Sequence, residues 1–282
     1  MTTSALNADL HSHSTASDGL LSPADLMRRA QDAGVEMMAL TDHDELSGLA
    51  AARAAADALD LHFIDGVEVS VSWGDDLTVH VLGLGIDPAN EALSAGLAAV
   101  RAGRDARAQA MAAELARVGI GGAYEGALRY VSNPALVSRS HFARYIVERG
   151  FARDVKTVFD HWLAKGKPGY VRHVWATLAD AVAWIRAAGG VAVIAHPGRY
   201  RLSGLERQRL FEQFRDLGGE GIEVLSGSQS ADDAAEFARV ARSMGFLASR
   251  GSDFHGPGES WIEPGKLPAL PPDLVPVWSR WF

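Results

Sequence analysis

Short apolar or β-branched runs alternate along the chain with amphipathic stretches of helical period, the βα pattern of a parallel sheet. The runs predict strands at Ala8-Asp9-Leu10, Met37 to Leu40, Phe63 to Val71, Val79 to Leu84, Val191 to Ala195, Gly221 to Leu225 and Phe246 to Ser249. Ser22-Pro23-Ala24-Asp25 predicts a helix start, with serine at the N-cap and proline at the first helical position, and the helix should reach Ala33 before Gly34. From about Pro88 to Val171 the rhythm breaks. An Ala/Arg-rich stretch predicts one long helix, Asn90 to Val118, followed by Gly119 to Gly122 and further helical segments. Residues 88–171 are therefore expected to form a helical insertion in a barrel built from residues 1–87 and 172–282. A helix from Leu178 to Ala188 and the Gly189-Gly190 pair return the chain to the strand pattern. The tail from Pro264 holds five of the eleven prolines and is expected to lie over the surface, tacked down by Trp278 and Trp281.

Composition narrows the chemistry. Of 282 residues, 48% are hydrophobic, and 27 basic against 35 acidic side chains leave a net charge of −8. That acidic balance argues against wide contact with duplex nucleic acid, which draws its affinity from cations on phosphates. No run approaches the roughly 18 apolar residues of a membrane span, and Met1-Thr2-Thr3-Ser4 lacks the basic start of a signal peptide, so a cytoplasmic location is expected. The absence of cysteine excludes disulfides, thiolate zinc sites and a cysteine nucleophile. A metal would have to be held by imidazole and carboxylate.

Those groups are concentrated where strands are predicted to end: His11-Ser12-His13, Thr41-Asp42-His43-Asp44, Glu68, His80, His196-Pro197 and Asp253-Phe254-His255. In extended chain, residues i and i+2 point the same way, so His11 and His13 can face one cation, and Asp253 with His255 repeats the device. Such nitrogen and oxygen donors suit Zn²⁺, Mn²⁺ or Fe²⁺, and a carboxylate such as Glu68 can bridge two ions. A single histidine at a strand end is ordinarily a satisfied polar group; six such strand ends together are not. Asp18 precedes Gly19 and has a simple turn as its alternative role, while Asp42 can cap the next segment.

The segments Asp9-Leu10-His11-Ser12-His13, Ser17-Asp18-Gly19, Leu40-Thr41-Asp42-His43-Asp44, Gly66-Val67-Glu68, Ala195-His196-Pro197 and Gly251-Ser252-Asp253-Phe254-His255, in this order, resemble the PHP (polymerase and histidinol phosphatase) family of the amidohydrolase group. The resemblance spans almost the whole chain. It implies an α/β fold, a distorted (β/α)₇ barrel, with up to three divalent metals, Mn²⁺ expected, hydrolysing phosphoesters. It further implies one metal at His11, His13, Glu68 and Asp253, a second at Glu68, His80 and His196, and a third at Asp18, His43 and His255, with Asp18 standing where relatives have histidine.

The insertion resembles that of family members acting as 3′,5′-nucleoside bisphosphate phosphatases, through Arg104-Asp105-Ala106-Arg107, Ser138-Arg139-Ser140-His141-Phe142-Ala143-Arg144 and Gly169-Tyr170-Val171. A doubly phosphorylated nucleotide needs cations away from the metals. Arg104 and Arg107, at i and i+3 of one helix, can clamp a phosphate or simply form a solvated face. Arg139 and His141 would add to the clamp, and Arg199 is a further phosphate candidate. Tyr170, His173 and Trp175 are candidates for stacking on a base, with core packing the better role for Trp175. The expected chemistry is in-line attack on phosphorus by a hydroxide bridging the Glu68-linked metals, with His11, His13, Glu68, His196 and Asp253 catalytic. Three readings compete: a phosphatase removing the 3′-phosphate, a 5′–3′ exonuclease taking short 5′-phosphorylated oligonucleotides through the same site, and a non-catalytic metal-binding module. Histidinol phosphate, with one phosphate, would not require the arginine-bearing insertion.

Overall fold

The computed structural model describes residues 6–74 and 77–281; Met1 to Ser4, read above as lacking a leader, lie outside the described residues. In chain order the elements are β1 (Ala8–Asp9), α1 (Pro23–Asp32), β2 (Met37–Leu40), α2 (Leu49–Ala58), β3 (His62–Trp73), β4 (Leu77–Leu84), α3 (Glu91–Ala102), α4 (Arg104–Arg117), α5 (Ala123–Leu128), α6 (Arg139–Glu148), α7 (Val155–Val158), β5 (Ala176–Thr177), α8 (Leu178–Ala187), β6 (Val191–Ile194), α9 (Gly204–Asp216), β7 (Gly221–Ser226), α10 (Ala231–Met244) and β8 (Leu247–Gly251). Strands β1-β2-β3-β4-β6-β7-β8 hydrogen-bond in that order, with β5 added beside β3. The ends meet: Leu10 N donates to Arg250 O at 3.0 Å, Asp253 N to His11 O at 2.8 Å and His13 N to Phe254 O at 2.9 Å. The sheet is thus a distorted, nearly closed seven-stranded barrel, and helices wrap it because the strands are apolar on both faces.

The sheet is not wholly parallel. β4 runs antiparallel to both β3 and β6. Only residues 74–76 separate β3 from β4, whereas a parallel return needs a crossover of a dozen or more residues. Helix α1 starts as the sequence predicts: Ser22 Oγ accepts from Asp25 N at 3.1 Å and Pro23 sits at the first position.

The single helix expected over Asn90 to Val118 is two. Asn90 caps α3, but the chain breaks at Gly103, where a Cβ would lie 2.4 Å from the His173 ring. The close approach requires glycine there. Gly103→Ala is expected to cost about 1–3 kcal/mol through overpacking, read as a lowered urea midpoint at constant slope. Leu93, Leu97 and Val100 of α3 join the barrel core, while Met111, Leu115, Phe142, Ile146, Val158 and Leu163 build a second core of the helical segment. The proline-rich tail crosses the outside of β8: Ala248 N donates to Val275 O at 2.8 Å, Trp278 is fully buried, and Trp281 covers Gly85. Among the described residues no helix is long and apolar enough to cross a membrane.

Candidate metal centre

The parallel strands point their C-terminal ends at one mouth of the barrel, the place where barrel folds assemble their sites. His11 and His13 follow β1, His43 follows β2, His196 follows β6, and Asp253 and His255 follow β8. Two members depart from the strand-end expectation. Glu68 lies inside β3, past the segment paired with β2, and His80 is the fourth residue of β4. His80 reaches the same mouth because β4 runs the other way and pairs it with Ser70, two residues beyond Glu68.

Glu68 is the centre of the cluster. Its Oε1 lies 3.3 Å from His11 Nε2, 2.9 Å from His80 Nδ1 and 3.0 Å from His196 Nε2. Its Oε2 lies 3.4 Å from His13 Nε2 and 2.8 Å from His43 Nδ1. Asp253 Oδ1 is 3.3 Å from His11 Nε2 and 3.1 Å from His13 Nε2, and those two nitrogens are 3.2 Å apart. Asp18 Oδ1 faces His255 Nε2 at 3.5 Å, His43 Nε2 at 3.9 Å and His13 Nδ1 at 4.0 Å. All nine residues proposed from the sequence as ligands therefore come together. Their donor atoms fall into four interlocking groups among the described residues, two of them sharing Glu68 and two sharing His13, which presents Nε2 to Asp253 and Nδ1 to Asp18.

The residues fit divalent ions. Ligand atoms around a tetrahedral ion at about 2.1 Å stand roughly 3.4 Å apart, the spacing seen here. His13 Nδ1 and Asp18 Oδ1 are buried with no hydrogen-bond partner among the described residues, a costly state unless a cation completes it. Burial, with His255 and His43 adding repulsion, lowers His13 to about 3, and burial with the Arg199 charge lowers His196 to about 3. Both rings are thus neutral, with lone pairs to offer. Burial alone would raise Glu68 and Asp253. His80, His43 and His11 around Glu68, and Arg199, His11 and His255 around Asp253, instead hold both well below the usual carboxylate range.

Backbone strain accompanies the donors. Of the four non-glycine residues with positive φ among the described residues, three are here: His196 at 27°, Asp253 at 54° and Asp44 at 51°. Such conformations persist where surrounding contacts over-determine them. Asp42 serves neither as a ligand nor as a helix cap; it accepts from Ser14 N at 2.8 Å, Ser14 Oγ at 2.7 Å and Ser17 Oγ at 2.6 Å, fixing the loop that carries Asp18.

Two carboxylates were missed in the sequence. Glu223, in β7, accepts from His11 Nδ1 at 3.0 Å and from His196 N at 2.5 Å, which orients two donors at once. Its only signal was an acid amid the apolar run Gly221 to Leu225. Glu223→Gln is expected to weaken metal affinity about 10–100-fold, as loss of an outer carboxylate does, measured by competitive chelator titration. Asp44 accepts from Ser70 N at 2.7 Å and Ser70 Oγ at 2.8 Å and pairs with Arg104.

The arginines divide accordingly. Arg104 is buried on Asp44 and stacks over Trp175, so it is not a free half of the expected clamp. Trp175 is core, lying under Arg104 at 4.7 Å and Arg107 at 5.2 Å, with His173 edge-on at 4.2 Å. Arg107 donates to Val171 O at 3.2 Å, and Arg139 lies over Phe159 at 5.6 Å; neither makes an ion pair among the described residues. Tyr170 lies close enough to both to affect their charge. Ser138, preceding Arg139, hydrogen-bonds Asp18 at 3.1 Å. His141 is fully buried, and its Nδ1 accepts from Ser138 N at 3.0 Å. Arg199 pairs with Asp253 and donates to Ser228 Oγ at 2.7 Å.

A barrel carrying a carboxylate-bridged imidazole cluster at its C-terminal mouth is the framework of a metal-dependent hydrolase. Comparison with known proteins agrees: residues 9–217 match the PHP domain. The chain belongs to the PHP domain family. A 3′,5′-nucleoside bisphosphate phosphatase from Chromobacterium violaceum is 52% identical over 97% of this chain and 96% of its own. A 5′-3′ exoribonuclease Rnm from Salmonella typhimurium is 44% identical over 97% and 93%. A solved amidohydrolase from Chromobacterium violaceum, with bound sulfate and no metal, superimposes with a TM-score of 0.94 at 52% identity, covering 97% of this chain and 95% of that one.

Proposed function

We propose that the protein is a phosphatase that removes the 3′-phosphate of 3′,5′-nucleoside bisphosphates, such as 3′-phosphoadenosine 5′-phosphate, giving the 5′-nucleotide. The observation that carries this reading is the pair Arg107 and Arg139, two guanidiniums that form no ion pair among the described residues, with Arg139 near enough to the cluster to feel the charge of Asp18. Burial, with repulsion from Arg139 and Arg104, lowers Arg107 to about 9, the mark of cations gathered without their anion. A second phosphate supplies it. The name of the 52% identical relative and the sulfate held without metal by the solved amidohydrolase support the same reading.

In this proposal His11, His13, Glu68 and Asp253 hold one ion, Glu68, His80 and His196 a second, and Asp18, His43 and His255 a third, giving two to three Mn²⁺ per chain. Divalent ions bound there neutralise phosphate charge and make a water-derived nucleophile available at neutral pH. Glu68, His11, His13, His196 and Asp253 fix the positions around the reacting phosphate. Arg107 and Arg139 hold the 5′-phosphate, and with it the sugar, at a set distance from the cluster. Because His141 Nδ1 accepts from Ser138, its proton sits on Nε2; burial lowers the ring to about 4. His141 therefore donates a hydrogen bond to a phosphate oxygen rather than delivering a proton. Arg199 steadies Asp253 and adds positive charge on the cluster's open side.

A specific observation also favours exonuclease action at the same site: a cavity of about 260 Å³ borders Asp253 and His255 of the cluster and reaches Trp261. The test is phosphate release, with Mn²⁺ added, from 3′-phosphoadenosine 5′-phosphate, 3′-AMP, 5′-AMP and a 5′-phosphorylated dinucleotide, with products identified. The bisphosphate is expected to exceed 3′-AMP in kcat/KM by about 10²-fold or more, the worth of charge-assisted phosphate contacts. Equal rates on the two would remove the second-anion reading. Silence on all four, with metal bound, would favour the non-catalytic module.

A further inference from the structure

Strands β4 and β6 pair antiparallel from Leu84 with Val191 to Val81 with Ile194, so the next pair in register is His80 with Ala195. Ala195 N donates to His80 O at 3.1 Å, which makes this a hydrogen-bonded pair, the kind whose two residues ordinarily exchange both bonds. The return bond is replaced by a side chain. His80 N donates to the Tyr200 hydroxyl at 2.8 Å, and that hydroxyl donates to Ala195 O at 2.9 Å. A phenolic oxygen accepts and donates at once, so it bridges the opened rung and leaves neither backbone group unpaired. The residues held apart carry or adjoin ligands of the cluster. His80 Nδ1 and His196 Nε2 stand 3.2 Å from each other, and 2.9 and 3.0 Å from Glu68 Oε1. His196 follows Ala195 directly, and its ring meets the Tyr200 ring edge-on at 5.6 Å. Tyr200 is itself fixed: it is buried, its N donates to Pro197 O at 3.3 Å, and its carbonyl accepts from Leu202 N at 2.8 Å.

We propose that Tyr200 is a positioning residue for the second ion: its hydroxyl wedges β4 from β6 and so sets His80 and His196 at the spacing of two donors on one cation. The inference rests on the ligand assignment above, with Glu68, His80 and His196 on one ion, and names the group that spaces two of those ligands. A direct bond from His80 N to Ala195 O would draw the strands together by the width of the inserted oxygen and turn the two imidazoles off that spacing. Loss of the hydroxyl alone leaves a donor and an acceptor that are adjacent and complementary, so the rung can close on itself. The fold then keeps its hydrogen bonds while the ion loses its site, which separates positioning from general support of the barrel. His11, His13 and Asp253 come from the chain after β1 and β8, strands that Tyr200 does not bridge. The ion they share with Glu68 should therefore stay.

The experiment compares wild type, Tyr200→Phe and His80→Asn. Mn²⁺ binding to each metal-free protein is followed by equilibrium dialysis, the stability of each by urea unfolding, and kcat and KM on 3′-phosphoadenosine 5′-phosphate across a range of Mn²⁺. In Tyr200→Phe one ion per chain is expected to bind about 10- to 100-fold more weakly, as when a group that orients a ligating histidine is lost. The remaining ions should keep wild-type affinity, and the metal-free urea midpoint should hold. At limiting Mn²⁺ kcat should fall and at high Mn²⁺ recover, with KM for the bisphosphate unchanged. Wild-type Mn²⁺ binding in Tyr200→Phe overturns the proposal. So does an equal weakening of every ion, or a metal-free variant that no longer unfolds cooperatively, since the hydroxyl then serves the fold as a whole. His80→Asn tests the reading beneath and should lose the same ion. If it binds as much Mn²⁺ as wild type, the ligand assignment fails and the positioning role falls with it; if it loses an ion that Tyr200→Phe keeps, the positioning role alone fails. A wild type inactive on the bisphosphate refutes the phosphatase reading, and the dialysis still decides the role of Tyr200.

Discussion

Glutamine in place of Glu68 is expected to lower kcat by more than about 10³-fold and to remove bound metal, exceeding the roughly 10–100-fold effect of an outer carboxylate such as Glu223. Among the described residues Glu68 is the one carboxylate within 3.4 Å of all five of His11, His13, His43, His80 and His196. The amide keeps the volume but loses the charge and cannot accept at both ends. The check is metal content by elemental analysis beside kcat on the bisphosphate; unchanged content and rate would sink the ligand assignment. The chelated protein offers an independent readout. Burial alone would lower His43, but Glu68 and then Asp18 raise it to about 9 from an ordinary value near 6.5. A histidine raised on folding contributes stability that is full below about 6.5 and is lost as pH rises through 9. Metal-free wild type should therefore melt at lower temperature as pH goes from about 6.5 to 9. In Glu68→Gln that slope should flatten, because His43 has lost its nearest carboxylate at 2.8 Å.

The same residues show why the cluster was legible in the sequence while its supports were not. His11-Ser12-His13 and Asp253-Phe254-His255 carry their geometry locally: two residues apart on extended chain, they face one way wherever that chain lies. Glu223 has no such local partner. Its meaning comes from β7 lying beside β6 and β8 in the barrel, which sets it against His11, 212 residues away. Asp44 stood within a quoted motif, but its role appears only when Arg104 arrives from α4. In the fold, alternation of apolar runs located the strands and gave no directions. The three-residue link between β3 and β4 was the available signal that β4 must run backward, and its reversal is what brings His80 to the mouth. Gly103 likewise interrupts a helical period that composition alone carries straight through; the His173 ring against it lies seventy residues on.

Removing both clamp arginines, as Arg107→Ala with Arg139→Ala, is expected to raise KM for 3′-phosphoadenosine 5′-phosphate by about 10²-fold or more. Metal content should remain, because neither side chain contacts a donor of the cluster. The effect should be large because these guanidiniums form no ion pair among the described residues: Arg107 is steadied by Val171 O and Trp175, Arg139 by Phe159. Arg104 is the contrasting case. Its charge is already matched by Asp44, so alanine there leaves a buried carboxylate unpaired and acts first on stability. The split between substrates is the decisive reading. A true 5′-phosphate clamp loses its advantage on the bisphosphate, while 3′-AMP, which has nothing for the clamp to hold, changes little in kcat/KM. If the double variant slows both substrates alike, the arginines act on the phosphate at the cluster, and the second anion must be held elsewhere. Either result also bears on the oligonucleotide. The same clamp sets which phosphodiester lies over Glu68, so a 5′-hydroxyl dinucleotide should already behave in wild type as the phosphorylated one does in the double variant.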